Sequence, residues 1–141
     1  MADIDDITPA LARQGTVVFT TYRRDGMPQQ TLVSAGRFED GVAFTTRMRN
    51  AKYHNLRRDP RCAMMLLADG FRGYAVLDGE AEVRSQETAE PEQLRLDLRA
   101  VYTAAAGREH PDWAEYDAAM AELGRAVILL RPTRIVVQGL G

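Results

Sequence analysis

The chain has 141 residues, of which 45% are hydrophobic and 27% charged, with a formal net charge of −2. That length fits a single domain, expected to run over 1–141, and the charge balance argues against general nucleic-acid binding. No apolar run approaches the roughly 20 residues of a membrane span, and the opening Met1-Ala2-Asp3-Ile4-Asp5-Asp6 is acidic where a signal peptide is basic, so a cytoplasmic protein is expected.

In chain order, the first expected element is a short helix over residues 6–15, opened by Thr8-Pro9, ended by Gly15 and carrying Ile7, Leu11 and Ala12. Thr16 to Tyr22 is rich in β-branched and aromatic residues, and Asp25-Gly26 with Pro28 turns it into a second run, Gln29 to Ala35. That pattern is a hairpin. In its second strand Gln30, Leu32 and Ser34 share one face, and Gln29, Thr31, Val33 and Ala35 the other. Polar groups therefore fall on both faces, as in a strand that borders a ligand or an edge strand open to water.

Arg37-Phe38 leads through Glu39-Asp40-Gly41 into the strand Val42 to Thr46. After Arg47 the pattern turns helical, with Asn50 placed to cap and Asp59-Pro60 disfavouring continuation. A helix that starts just past a strand end points free N–H groups and the positive end of its dipole outward. Here Arg47, Arg49 and Lys52 stand around that point. This is a physical recipe for holding a phosphate, although a run of charge also serves as a solvated face. Of eighteen basic residues, Lys52 is the one lysine, a compact ammonium where every other cation is a planar fork.

Cys62 to Leu67 is apolar without alternation, as in a strand covered on both sides, by the barrel interior and helices or by a second subunit. The lone cysteine, Cys62, is expected to be a buried structural thiol. Asp69-Gly70 turns the chain into a strand from Arg72 to Arg84, expected to be the longest, with a bulge or bend at Gly79. From Pro91 the stripe Leu94, Leu98, Val101 and Tyr102 marks a helix. His110-Pro111-Asp112 breaks it and caps another, lined by Trp113, Tyr116, Met120 and Leu123 as core or subunit contact. Arg125 to Val137 returns to strand character, with Pro132 at an edge or bulge.

His54 and His110 lack metal-type spacing, no His/Cys/carboxylate cluster is present, and no nucleophile elbow or phosphate-binding glycine loop occurs. No metal site is expected. Six or seven mostly antiparallel strands with one phosphate-like corner suggest a barrel, mainly β with peripheral helices in an α+β arrangement, whose chemistry comes from a bound cofactor.

Ala51-Lys52-Tyr53-His54-Asn55-Leu56-Arg57-Arg58-Asp59-Pro60-Arg61, followed by Asp69-Gly70, Tyr74-Ala75-Val76 and Gly79-Glu80-Ala81, resembles the split β-barrel flavin and deazaflavin oxidoreductases related to pyridoxamine 5′-phosphate oxidase. Within that superfamily the chain is most similar to the branch that uses the deazaflavin coenzyme F420, a likeness shared by Glu109 to Trp113, Tyr116 and Met120. The resemblance spans residues 10–139. It implies an FMN-binding split-barrel fold, a homodimer with cofactor sites at the subunit interface, and hydride transfer between reduced F420 and a small organic substrate. The alternatives are an FMN-binding oxidoreductase of the superfamily and a non-catalytic cofactor carrier. By position, Lys52 would contact the cofactor phosphate with Asn55 nearby. In relatives an arginine commonly stands two before that lysine, where this chain has Asn50. Arg49, which with Arg47 precedes it, substitutes, or the phosphate is held more weakly. Gln30, Thr31, Leu32 and Val33 would border the ring, Thr45 and Thr46 would offer backbone and hydroxyl groups, and Phe71, Tyr74 and Arg125 would come from the facing subunit. No catalytic acid is identified; Tyr74 is the one candidate proton donor.

Overall fold

The computed structural model describes residues 2–140, and its strands are β1 (Thr16–Tyr22), β2 (Pro28–Ser34), β3 (Gly36–Phe38), β4 (Gly41–Arg47), β5 (Arg61–Leu67), β6 (Tyr74–Arg84) and β7 (Arg125–Gln138). They form one antiparallel seven-stranded sheet in the order β2-β1-β5-β6-β7-β4-β3. β2 and β3 stand at opposite ends of that order, yet only Ala35 separates them in the chain. The sheet must therefore curl until its edges meet, which makes it a split barrel. The split itself lies where β2 stays bonded to β1 while β3 takes over the bonding to β4.

Inside the curl, Val17, Phe19, Val42, Phe44, Met64, Leu66, Leu77, Ile128 and Leu130 form the main core, with Phe19 and Phe44 edge to face at 4.7 Å. The alternation of β1, β5 and β6 delivers these side chains to one face. Helix α1 (Ile4–Arg13) adds Ile7 and Leu11 to the same core. It begins earlier than the residue-6 start expected, because Asp3 and Asp6 form a reciprocal cap. Pro9 lies inside the helix and does not open it. Helices α3 (Pro91–Ala106) and α4 (Trp113–Leu123) cover the outer face of β4 and the first half of β7. There Leu94, Leu98, Val101 and Tyr116 bury Ala43, Val127 and Leu129. The expected stripes are thus core contacts except at Leu123, which is 37% exposed at the end of α4, and the Tyr116 hydroxyl donates to the Leu98 carbonyl at 2.8 Å. Among the described residues no helix is long and apolar enough to cross a membrane.

β7, not β6, is the longest strand, at 14 residues against 11. The register between them shifts at Asp78/Gly79 opposite Pro132, as the glycine and proline predicted. A Cβ at Gly79 would lie 2.2 Å from the Arg131 carbonyl oxygen, so only glycine fits this approach. Past the bulge, the outer face of β7 is no longer roofed by helices. On β5, Cys62, Met64 and Leu66 point inward, whereas Met65 on the outer face is 37% exposed, so helices do not supply its outer cover, which leaves the second subunit expected as the alternative. Burial pushes the Cys62 thiol up to about 12, with Glu80 and Asp59 adding to the effect, so it is an inert structural group.

Where β3, β4, β6 and β7 meet α3, Arg84 bonds Glu39, Glu82 and the buried Asp97, and Arg131 bonds Glu82 and Asp40. The hydrogen bond from Arg84, then that from Arg131, brings Glu82 down to about 2, and Glu39 and Asp40 are lowered by the same arginines. A carboxylate depressed in the folded state contributes stability that is complete above its unfolded value of about 4.3 and is lost as pH falls towards the folded one. The melting temperature followed by circular dichroism should therefore be flat from neutral pH down to about 5 and drop steeply below it. Glu82→Gln should flatten that acid limb.

Candidate functional site

Helix α2 (Ala51–Arg58) follows β4 after a turn closed by the Asn50 N–H donating to the Arg47 carbonyl at 3.0 Å. Asn50 holds the N-cap position, but its side chain donates to Thr46 Oγ1 at 3.0 Å and does not cap the helix. The backbone N–H groups of Ala51 and Lys52 are consequently left without partners among the described residues, and the first turn carries no acid. The Met48 N–H donates to the Gly124 carbonyl at 2.9 Å, which ties this turn to the start of β7.

That tie explains a pairing the sequence does not display: Arg125 lies directly opposite Arg47 in the β4–β7 register. Like charges opposite one another are normally unfavourable, and Lys52 adds a third. Burial, then the charge of Arg125, lowers Lys52; burial, then the charge of Arg47, lowers Arg125. Among the described residues none of Arg47, Arg49, Lys52 and Arg125 is ion-paired to a carboxylate, in contrast to Arg84 and Arg131. Arg125 donates to the Thr45 carbonyl at 3.3 Å, but its Nε is buried with no partner. A cluster of cations held together without counter-charge is a site for an external anion.

The remaining predicted residues divide. Asn55 is buried and engaged: it donates to Thr21 Oγ1 at 3.0 Å and accepts from Arg58 at 3.1 Å, so it braces α2 against β1. Thr46 is buried and accepts from Asn50, leaving Thr45 as the half-buried member that faces outward. Arg49 is exposed in the turn. On β2, Gln30 and Leu32 point outward, Leu32 being 70% exposed, while Thr31 and Val33 point inward. Thr31 Oγ1 is the other buried side-chain polar atom without a partner among the described residues. As an edge strand, β2 also presents half its backbone N–H and C=O groups to the split between it and β4. Ser34 and Thr45 face each other across that split, and with Val101, Tyr102, Ala105 and Ala106 of α3 they line a cavity of about 280 Å³. Sequence reasoning missed the α3 side of this cleft, since Tyr102 reads there as core alone.

Arg125 was expected from the facing subunit; it belongs instead to the same chain's corner, because β4 and β7 pair in register. Within one chain Phe71 and Tyr74 are not brought to it. Tyr74 pairs with Gln138 at the far end of β7, roughly 40 Å of strand from Arg125 at about 3.3 Å per residue. Phe71 is 79% exposed and left-handed at φ 58°, next to Gly70 at φ 72°, at the tip between β5 and β6. Beside the corner, Arg23, Arg24, Gln29, Ala51, His54, Arg57 and Arg58 line an open groove of about 770 Å³ in which Asp25 is the one acid. Asp25 is bonded to Arg23 at 2.7 Å, leaving the groove strongly basic.

A family model described as pyridoxamine 5′-phosphate oxidase matches residues 4–139 of the chain. Among solved structures, a conserved hypothetical protein from Mycobacterium tuberculosis is similar at 21% identity and TM-score 0.78, over 98% of this chain and 85% of that one. A structure described as an F420 reductase is similar at 23% identity and TM-score 0.62, over 91% of this chain and 94% of that one. A pyridoxamine 5′-phosphate oxidase-related, FMN-binding protein from Nostoc punctiforme is similar at 17% identity and TM-score 0.71, over 95% and 82%. At these identities the likeness is one of fold.

Proposed function

Because the chain belongs to the pyridoxamine 5′-phosphate oxidase family, whose split barrels bind flavins, we propose that it is an F420-dependent oxidoreductase acting on a small organic substrate at a homodimer interface. The observation that carries the proposal is the uncompensated cluster of Arg47, Lys52 and Arg125 beside the open N–H groups of Ala51 and Lys52. These groups fit a cofactor phosphate: the ammonium and guanidinium groups would hold its oxygens, and the helix N-terminus would add its dipole. The split between β2 and β4 would take the ring system, with the open edge of β2 and Thr45 beside it. When bound, the deazaflavin supplies a hydride from its C5. The protein's own part is to fix the plane of the ring, to keep water from it through Leu32, Val101 and Tyr102, and to hold the substrate against it.

The basic groove beside α2 favours F420 over FMN, because an acidic tail longer than a single phosphate would run along Arg24, Arg57 and Arg58. The second reading, an FMN enzyme, draws on the phosphate corner alone. A carrier without turnover is the third. Titration of the purified protein with F420 and with FMN, followed by fluorescence, tests the order. At least tenfold tighter binding of F420 is expected, and weakening of that preference as salt rises. Tighter binding of FMN would establish the second reading; binding without turnover of enones, quinones or tetrapyrroles would establish the third.

A further inference from the structure

Between α4 and the N-terminal half of α3, the helix whose C-terminal half lines the β2–β4 split, lies a second cavity of about 230 Å³. Pro91, Leu94, Leu98, Met120 and Ala121 form its apolar walls. Its polar groups are nearly all answered within the protein. Gln86 donates from Nε2 to the Ala121 carbonyl at 3.0 Å. Asp117 is bonded by Arg95 at 3.2 Å and by Arg99, and Arg95 is bonded in turn by Glu92. The remaining lining residue is Arg125, which has no carboxylate partner among the described residues and whose Nε is buried without a hydrogen bond. An apolar cavity of this size exceeds the 150 Å³ or so that admits benzene, and therefore holds a chain of roughly six to eight carbons.

We propose that this cavity binds a short-chain amphipathic monocarboxylate, its hydrocarbon part between Leu94, Leu98 and Met120 and its carboxylate on Arg125. The chemistry selects the class. A neutral apolar molecule would leave Arg125 Nε without a partner, and a dianion such as phosphate would place its second charge against apolar walls and near Asp117. A monocarboxylate satisfies Arg125 with one charge and buries the rest of its surface. The proposal needs no redox cofactor, but it shares Arg125 with the phosphate corner, so Met120 and Ala121, which line this cavity and not the corner, separate the two readings.

The probes are hexanoate and hexanamide, which share a shape and differ in charge. Calorimetry should give hexanoate at least tenfold the affinity of hexanamide, and the difference should vanish in Arg125→Gln. Of the six methionines, Met120 alone lines the cavity, so its methyl resonance should be the one that moves on titration. Met120→Trp and, from the opposite wall, Ala121→Leu should abolish binding while the circular dichroism melt remains cooperative. Lys52 does not line the cavity, so Lys52→Ala should keep the movement of the Met120 methyl on hexanoate titration, which separates this cavity from the phosphate corner. Equal affinities for the two probes, a still Met120 methyl, binding that survives Met120→Trp, or no heat at about 10 mM hexanoate would each overturn the proposal.

Discussion

Lys52→Ala should weaken the binding of F420 and of FMN alike by about tenfold to a hundredfold, since a hydrogen bond to a charged group contributes about 1.5–3 kcal/mol and each 1.4 kcal/mol is a factor of ten. The same substitution should leave the cofactor-free protein as stable as the parent or slightly more so. Lys52 has no ion pair to lose, and its ammonium is opposed by Arg125 and by its own partial burial. A residue that lowers stability while raising affinity is serving the ligand. Lys52→Arg should recover only part of the loss, because a planar fork does not reproduce a compact ammonium beside the Arg125 guanidinium. Equilibrium fluorescence titrations and thermal melts of the three proteins measure both arms. Unchanged affinity in Lys52→Ala would remove the phosphate from this corner.

The strand-to-helix junction was legible because its signal is local. A β-branched run gives way within a few residues to a helix bounded by Asn50 and Asp59-Pro60, and the cations are adjacent in the chain. The seven strands, the Gly79 bulge and the core stripes of α3 and α4 were legible for the same reason: each rests on a period or a single permissive residue. What escaped depends on pairing at long range. Nothing near Arg125 says that β7 lies against β4 with Arg47 opposite, and nothing near Asn55 says that its amide donates to Thr21. The alternation of β2 already divided Gln30 and Leu32 from Thr31 and Val33, so only part of that set can touch one ring through side chains. Pro9 misled because a proline reads as a helix opener, whereas the Asp3–Asp6 cap starts the helix before it.

The open face of β5 leads to the other large effect. Read through the registers, Leu32, Val18, Met65, Val76 and Val136 lie side by side on the outer surface of five successive strands. Leu32 and Met65 are exposed, and no helix roofs them. Five strands at about 4.8 Å spacing make this row roughly 19 Å long, a continuous apolar strip without a roof in the single chain and the kind of surface that marks an interaction site. A second copy of the chain is the occupant proposed for it, which would also bring an exposed Phe71 or Tyr74 towards the partner's split. Light scattering should therefore give twice the 15.7 kDa chain mass. Met65→Arg should raise the dimer dissociation constant by about a thousandfold or more, because each dimer would bury two unpaired cations at a cost of several kcal/mol. Met65→Leu should change nothing. In the separated chain Met65 faces solvent, so the arginine should leave the melting temperature at high dilution nearly unaltered, and the loss is one of association. If the cofactor lies between subunits, F420 affinity should fall with dimer content across a dilution series of Met65→Arg. A dimer that persists in that variant would move the interface to another face, and full F420 affinity in its monomer would confine the site to one chain.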